Sequence, residues 1–368
     1  MARVLVIGGG FAGCIAAHQL ADKHEVTLIE RSPHLGGGCR TLWHGGHPYT
    51  FGPRHFLTKR EDVWAYMNGL CPMRRFPEHE FLTFVPADSS FYHFPICEDE
   101  ITDMPYKEDI RAELATAPGA AGAKNLEEYW IKSVGGMLYG KFVREYSAKM
   151  WGGLDAREIT DFGFTPKGVA IKPAGAPRAA WNEALSGFPV AANGYNSVFA
   201  KLTAKVRVLL NCNVRIDIWR KTIQWPNTDW MRFDLVVSTI SPEHLFEQCF
   251  GELRWMGREF LPIVLPMEQC LPENVFFLYY AGSEPQTRVV EYKKFYRYAS
   301  PHTLIGVEIP STRNKLYPFP TAEDQAQAQK YLDLLPANVF SIGRMGSYRY
   351  LDVGSTIEQV FGLREKWA

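Results

Sequence analysis

The stretch VLVIGGGFAGCIAAHQL, residues 4–20, decides the fold. Residues 4–7 are an apolar run that predicts a β-strand, the glycine-rich residues 8–13 interrupt it, and residues 14–20 have helix-forming composition. Residues 25–30, EVTLIE, alternate in the manner of a second strand. Strand, turn, helix and strand form a βαβ unit, which predicts an α/β fold with a parallel sheet.

The glycines of this unit form a dinucleotide-binding pattern. Gly8, Gly10 and Gly13 satisfy G-x-G-x-x-G directly after a strand, where glycine permits a tight turn and brings the backbone close to a pyrophosphate. The helix that follows presents its N-terminus to that anion. Glu30 ends the second strand and is expected to bind the adenosine ribose hydroxyls. The pattern alone does not distinguish NAD from FAD, and a glycine-rich turn without a ligand is the alternative.

The composition is that of a soluble globular protein with two or three domains. The 368 residues include 40 basic and 40 acidic side chains, a balance that argues against nucleic acid or an anionic membrane as the main partner. The seven cysteines are scattered without a C-x-x-C pair, so we expect neither a disulfide framework nor a zinc site, and a reducing cytoplasm fits best. No stretch is long and apolar enough for a membrane span, and we expect no targeting segment.

Changes of texture along the chain predict the domain organisation. Asn125 can cap a helix with Glu128 at its third position, and apolar residues recur at helical spacing up to Tyr146, which predicts one helix with a broad apolar face. Prolines and aromatic residues between 70 and 92 favour antiparallel strands. We expect a discontinuous Rossmann-like domain, an inserted helical domain and an antiparallel sheet domain. The Rossmann-like domain is expected to comprise residues 1–70, 191–250 and 330–368, and the helical domain residues 97–160. The antiparallel sheet domain is expected to comprise residues 71–96, 161–190 and 251–329.

A second glycine motif favours FAD over NAD. Glu30 is followed by RSPHLGGG, and an acidic residue that leads within a few residues to the Gly36-Gly37 turn resembles the second flavin motif of the glutathione-reductase-type FAD proteins. Glycine at this turn also allows the backbone to lie close to a long cofactor. FAD is therefore the predicted cofactor.

Five further stretches resemble the UDP-galactopyranose mutase family, in order over nearly the whole chain: residues 125–153, 249–255, 287–295, 316–319 and 343–352. The resemblance implies a Rossmann-like FAD-binding domain with inserted helical and antiparallel sheet domains, and a homodimer. It also implies a non-redox isomerase that interconverts the pyranose and furanose forms of a nucleotide-diphospho-sugar.

The resemblance implies that reduced FAD is the active form, with NAD(P)H or another reductant as its source of electrons. Flavin N5 attacks the anomeric carbon and displaces the nucleoside diphosphate, and in the resulting N5–sugar adduct the ring opens and recloses as a furanose. The protein then has to position the substrate, keep the pocket dry and stabilise the departing diphosphate.

The resemblance assigns the diphosphate to residues near the C-terminus. Arg288 matches the family's diphosphate-binding arginine, and Tyr317 and Tyr350 match tyrosines that donate to the same group. Asp352 matches an aspartate that orders this cluster. Lys172 stands where the family has a second diphosphate arginine.

The nucleobase and the sugar are assigned to the helical region. Phe142 and Tyr146 fall on the helix face that receives the uracil ring, although apolar residues four apart on a helix are more often core. Trp151 matches the tryptophan beside a mobile lid and the sugar. The predicted catalytic residues are Arg288, Arg54, Trp151 and Tyr350. The predicted cofactor-binding residues are Gly8, Gly10, Phe11, Gly13, Glu30, Arg31, Gly36, Gly37, Arg344, Asp352 and Val353.

Several substrate-facing positions depart from the family pattern. The family has G-A-H-x-F-H where this chain has GPRHFL at 52–57, so Arg54 and Leu57 replace two histidines. Met256 and Leu185 replace an arginine and a tyrosine. Because the flavin motifs are kept while these positions change, we expect a substituted sugar that Arg54 reads or tolerates, such as that of UDP-N-acetylgalactosamine or a dTDP-deoxysugar.

Two other functions remain open at this point. An FAD-dependent oxidase or dehydrogenase of the amine-oxidase type shares the glycine pattern, but its substrate gives no reason for a diphosphate-binding cluster. A flavin-binding protein that has lost catalysis would explain the missing arginines. His44, His47 and His55 lie close in sequence without a carboxylate or cysteine at ligand spacing, so no metal site is predicted.

Overall fold

The computed structural model describes residues 1–161, 171–181 and 184–367. One of its sheets is parallel and has five strands, numbered here with all others in chain order: β1 (Arg3–Ile7), β2 (Glu25–Ile29), β10 (Arg207–Leu209), β14 (Leu235–Ser238) and β20 (Val339–Ser341). Their order is β10-β2-β1-β14-β20, so distant parts of the sequence form one sheet. The parallel α/β sheet predicted from the first thirty residues is confirmed.

Three helices pack together beside this sheet: α1 (Phe11–Leu20), α6 (Asn196–Leu202) and α10 (Val353–Gly362). Helix α1 begins at Phe11, earlier than the composition predicted, and Gly13 lies in its first turn. A side chain at Gly13 would collide with the carbonyl oxygen of Gly8, so glycine is required for this close approach of helix and strand.

The larger sheet has seven strands: β7 (Glu80–Val85), β8 (Ser90–His93), β15 (Trp255–Leu265), β16 (Val275–Tyr280), β17 (Arg288–Glu291), β18 (Thr303–Ser311) and β19 (Lys315–Pro318). Their order is β19-β15-β18-β17-β16-β7-β8. The pairs are antiparallel as predicted, except that β16 and β7 run parallel. The register aligns Thr83, Tyr279, Arg288 and Glu308 in one row across four adjacent strands.

Three small sheets complete the β-structure. They pair β3 (Leu42–His44) with β4 (His47–Tyr49), β9 (Leu185–Pro189) with both β5 (Phe56–Thr58) and β6 (Met73–Arg75), and β12 (Thr222–Gln224) with both β11 (Arg215–Asp217) and β13 (Met231–Arg232). The β5-β9-β6 sheet joins segments that the sequence analysis assigned to different domains. The three-domain division itself stays a prediction, and residues 162–170 and 182–183 of its sheet domain lie outside the described residues.

The helical region contains α3 (Lys107–Thr116), α4 (Leu126–Tyr139) and α5 (Glu145–Met150). The Asn125 cap is confirmed, since its side chain accepts from the backbone N–H of Glu128 at 2.9 Å. The single continuous helix is wrong: Gly135 has a φ of +85°, and a π-helical turn, Gly140–Arg144, separates α4 from α5. Glu113 stabilises the break, because its carboxylate accepts from the N–H of Met137 at 2.8 Å and occupies the space that a side chain at 135 would need.

The remaining helices are α2 (Glu61–Leu70), α7 (Lys293–Tyr296), α8 (Ala322–Asp333) and α9 (Gly343–Gly346). Apolar side chains of α4, among them Trp130, Val134 and Leu138, share a buried cluster with strand residues of the larger sheet, which fixes the helical region against that sheet. Within the described residues, no helix combines the length and apolar character that crossing a membrane requires.

Candidate active site

The glycine-rich loop between β1 and α1 leaves open space at one position. Gly8 has a φ of +97°, which favours glycine, and Gly13 packs against it. At Gly10, by contrast, an added Cβ would meet no protein atom within 4 Å. The backbone at Gly10 and the start of α1 are therefore accessible to a ligand, as the pyrophosphate prediction requires.

Glu30 lies beside this loop at the end of β2. Its carboxylate accepts from the backbone N–H of Gly9 and of Ser32, both at 2.7 Å. The N–H of Gly36 donates to the carbonyl of Gly9 at 2.7 Å, so the second glycine turn is held against the first. The neighbouring Arg31 is exposed. Carboxylate oxygens have further lone pairs, and Glu30 keeps acceptor capacity for ribose hydroxyls.

The principal cavity, of about 310 Å³, lies where two helix N-termini meet the larger sheet. Gly10 and Phe11 line it from α1, and Asp352 and Val353 line it from α10. Asp352 caps α10 by accepting from the N–H of Ser355 at 2.8 Å. Of the predicted cofactor residues, Gly10, Phe11, Arg344, Asp352 and Val353 line this cavity, whereas Gly8, Gly13, Glu30, Arg31, Gly36 and Gly37 lie outside its lining.

An arginine and a glutamate form an ion pair on the sheet wall of this cavity. Nη2 of Arg288 donates to the two carboxylate oxygens of Glu308 at 2.9 and 2.6 Å, and the Glu308 side chain is only 3% exposed. The Arg288 guanidinium lies over the rings of Phe277 and Tyr279. Its Nε is buried and has no hydrogen-bond partner among the described residues. The sequence analysis missed Glu308, although a carboxylate within the apolar strand TLIGVEI was a signal.

Two tyrosines and an arginine stack on one another elsewhere in the lining of this cavity. The rings of Tyr317 and Tyr350 are nearly parallel, at 12°, with centroids 5.3 Å apart. Cζ of Arg344 lies 4.8 Å from each ring, and its Nε donates to the carbonyl of Leu351 at 2.8 Å. Arg258, which the sequence analysis also missed, lies over the ring of Tyr317, with its Cζ 4.6 Å from the ring centroid.

Burial and nearby positive charges give the phenols of Tyr317 and Tyr350 different pKa values. Burial alone raises the pKa of Tyr317, but three guanidinium groups outweigh it and lower the pKa to about 8. In decreasing order of effect, these groups belong to Arg54, Arg344 and Arg258. Burial, with the added effect of Tyr317, raises the pKa of Tyr350 to about 12. At neutral pH both phenols can donate a hydrogen bond to an anion.

Arg54 also lines the principal cavity, together with Leu57. Nε of Arg54 donates to the carbonyl of Gly38 at 3.0 Å. The adjacent His55 contacts the carbonyl of Pro53 through Nδ1 at 3.0 Å. Across the described residues, no group of three or more histidine, cysteine or carboxylate side chains could hold a metal ion.

A second cavity, of about 150 Å³, adjoins the first. Phe142, Tyr146 and Trp151 line it, so the structure brings the three predicted base- and sugar-binding aromatics together. Tyr279 and Tyr350 line both cavities and stand between them. The described lining of the second cavity contains no charged side chain, and Trp151 is buried with its ring edge-on to that of Tyr317. A flat uncharged ring fits this space better than an anion does.

Lys172 lies apart from both cavities. Its amine donates to the carbonyls of Pro177, at 2.8 Å, and of Ala179. Leu185, in β9, pairs with Thr58, and Met256 is buried in β15 beside Tyr317. The structure therefore brings together Arg54, Arg288, Arg344, Tyr317 and Tyr350, but not Lys172.

Comparison with known proteins shows which family the chain resembles. Residues 141–350 match the family described as UDP-galactopyranose mutase, and residues 6–70 match an NAD(P)-binding Rossmann-like domain. A probable UDP-galactopyranose mutase of Klebsiella pneumoniae is 23% identical over 97% of this chain and 92% of its own length. The dTDP-fucopyranose mutase of Escherichia coli is 24% identical over 98% of this chain and 96% of its own length.

The fold agrees as well. The crystal structure of a reduced UDP-galactopyranose mutase superposes with a TM-score of 0.80, at 16% identity, over 99% of this chain and 93% of that one. The amine-oxidase alternative finds only partial support, since an L-amino-acid oxidase of Crotalus adamanteus is 38% identical over 66 residues, or 18% of this chain. The prediction of an isomerase is confirmed. Since the matched region covers more than half of the 368 residues, the chain belongs to the UDP-galactopyranose mutase family.

Proposed function

We propose that this protein is an FAD-dependent mutase that interconverts the pyranose and furanose forms of a nucleotide-diphospho-sugar. The observation that carries the proposal is the pair of adjoining cavities. The first joins helix N-termini to an arginine- and tyrosine-lined wall, and the second is aromatic and uncharged. A ligand that spans them needs an anionic centre and a flat ring at one end, which a nucleoside diphosphate has.

The residues around the first cavity fit FAD. The open space at Gly10 admits a pyrophosphate at the N-terminus of α1, and the N-terminus of α10 lies on the same cavity. Glu30 would hold the adenosine ribose, and Asp352 and Val353 would meet the flavin ring. When bound and reduced, the flavin supplies the nucleophile that the sugar requires.

The chain's own residues would bind and orient the substrate. Arg288 and the phenols of Tyr317 and Tyr350 would donate to the diphosphate and stabilise the charge that develops as it departs. Because Arg288 is already ion-paired with Glu308, it is oriented before substrate binds. Phe142 and Tyr146 would stack on the base in the second cavity, which excludes water from one end of the site.

The test is conversion of a panel of nucleotide sugars by the purified protein. UDP-galactose, UDP-N-acetylgalactosamine and a dTDP-deoxysugar would be incubated with dithionite-reduced and with oxidised protein, and products separated by chromatography. We expect a furanose product only from reduced protein, and a preference for one of the two substituted sugars. Equal conversion by oxidised protein would contradict the mechanism, and a clear preference for UDP-galactose would contradict the substituted sugar.

Other features of the proposal follow from the family. NAD(P)H or another reductant would supply electrons to the flavin, and the protein would work as a homodimer in the cytoplasm. Flavin reduction by NADH or NADPH tests the source of electrons. Light scattering of the purified protein tests the homodimer. A monomer at micromolar concentration would contradict the dimer.

A further inference from the structure

We propose that Arg54 is the second diphosphate-binding arginine of this protein and acts together with Arg288 on the leaving group. The inference rests on the proposed mutase function and specifies which side chains hold the substrate's diphosphate. It assigns to Arg54 the diphosphate-binding role that the sequence analysis predicted for Lys172.

The guanidinium of Arg54 is anchored at one of its three nitrogens. Nε donates to the carbonyl of Gly38 at 3.0 Å. Among the described residues, neither terminal nitrogen of Arg54 has a hydrogen-bond partner, and no carboxylate forms an ion pair with it. The side chain is half-buried in the wall of the principal cavity. A charge held there loses water without a direct counterion, so a ligand anion would stabilise it.

Arg54 is close to the residues that the family pattern assigns to the diphosphate. Arg54, Tyr317 and Tyr350 all line the principal cavity. Arg54 lowers the pKa of Tyr317 more than Arg344 or Arg258 does. Arg288 and Arg344 line the same cavity, so three guanidinium groups and two phenols surround one space. Arg344, predicted to bind the cofactor, stacks on the two tyrosines, which leaves Arg54 and Arg288 for the substrate. That set of donors matches the oxygens of two phosphoryl groups.

Lys172 is poorly placed for the same task. Its amine donates to two backbone carbonyls, those of Pro177 and Ala179, and the residue lines neither cavity. A lysine would in any case offer a point charge where a diphosphate calls for a planar fork. With an uncharged Met256 in place of a further arginine, Arg54 is the cation that restores a two-arginine site.

The experiment measures UDP and uridine affinity by calorimetry on FAD-loaded, oxidised protein, with no dependence on turnover. Arg54→Ala removes two or more charge-assisted hydrogen bonds, so we expect the Kd for UDP to rise about 10- to 100-fold while that for uridine stays unchanged. Arg54→Lys should give an intermediate rise. Arg60→Ala is the matched control, because Arg60 is a nearby exposed arginine paired with Asp62, and it should leave both affinities within about twofold.

Three results would overturn the inference. UDP affinity could be unchanged in Arg54→Ala while a nucleotide sugar binds more weakly, which would assign Arg54 to the sugar. FAD occupancy could fall while the saturated variant binds UDP normally, which would assign it to the cofactor. Lys172→Ala could weaken UDP binding while Arg54→Ala leaves UDP binding unchanged, which would assign the diphosphate to Lys172. Failure of the unaltered protein to bind UDP, dTDP or any nucleotide sugar would instead contradict the proposed function itself. Arg54→Lys keeps the measurement decisive if the alanine variant does not fold.

Discussion

The lowered pKa of Tyr317 predicts that substrate affinity falls at alkaline pH. A neutral phenol donates to the diphosphate, whereas a phenolate repels it, so binding needs the protonated form. With a pKa of about 8, the phenol is roughly 10% ionised at pH 7 and roughly 90% ionised at pH 9. If only the protonated form binds, the Kd for UDP-galactose should therefore rise about tenfold between these two pH values.

The assay is calorimetric titration of FAD-loaded, oxidised protein with UDP-galactose at half-unit steps from pH 6.5 to 9. Tyr317→Phe is the matched control, because it keeps the ring that stacks on Tyr350 and removes the ionising group. The variant should bind UDP-galactose more weakly at pH 7, and its Kd should change less with pH because the ionising phenol is gone. Ionisation of the uracil ring of the ligand affects both proteins alike, so it does not disturb the comparison. A profile in the unaltered protein as flat as that of the variant would refute the reasoning.

Three further predictions test other parts of the site. Gly10→Ala should weaken FAD binding at least tenfold and leave the melting temperature of the apoprotein unchanged. Gly13→Ala should lower that melting temperature, because a Cβ at position 13 meets a protein atom and a Cβ at position 10 does not. Equal melting temperatures of the two variants would contradict this. Glu308→Ala should destabilise the fold by about 3–5 kcal/mol in urea unfolding, since it leaves the Arg288 charge buried without its partner; a change below about 1 kcal/mol would show that the pair is dispensable. Phe142→Ala should raise the Kd for UDP about tenfold and leave that for inorganic pyrophosphate unchanged, and a loss of stability with unaltered UDP binding would favour a purely core role.

The glycine-rich loop between β1 and α1 could be predicted because its determinants are local in sequence. Strand, glycines and helix follow one another within residues 4–20, and the spacing alone requires a turn there. The cap at Asn125 is equally local. The break at Gly135 was missed because its stabilising partner, Glu113, lies on another helix and has no fixed sequence distance from it.

The wall of the site was harder to predict, because strand register brings its residues together. Arg288 and Glu308 are twenty positions apart and become neighbours only through the pairing of β17 with β18. Arg258 reaches the ring of Tyr317 in the same way, through the pairing of β15 with β19. The family pattern named Arg288 and Tyr317 but gave no sign of these partners. It also favoured Lys172, whose amine the backbone of residues 177–179 binds instead.

The stoichiometry of electrons in the reaction tests the central claim most directly. Protein reduced with a measured amount of dithionite, under anaerobic conditions, would be given an excess of the nucleotide sugar that it converts best. We predict many furanose products per reduced flavin, with the flavin spectrum still that of the reduced form at the end. One product or fewer per flavin, with the flavin reoxidised in step, would contradict the account.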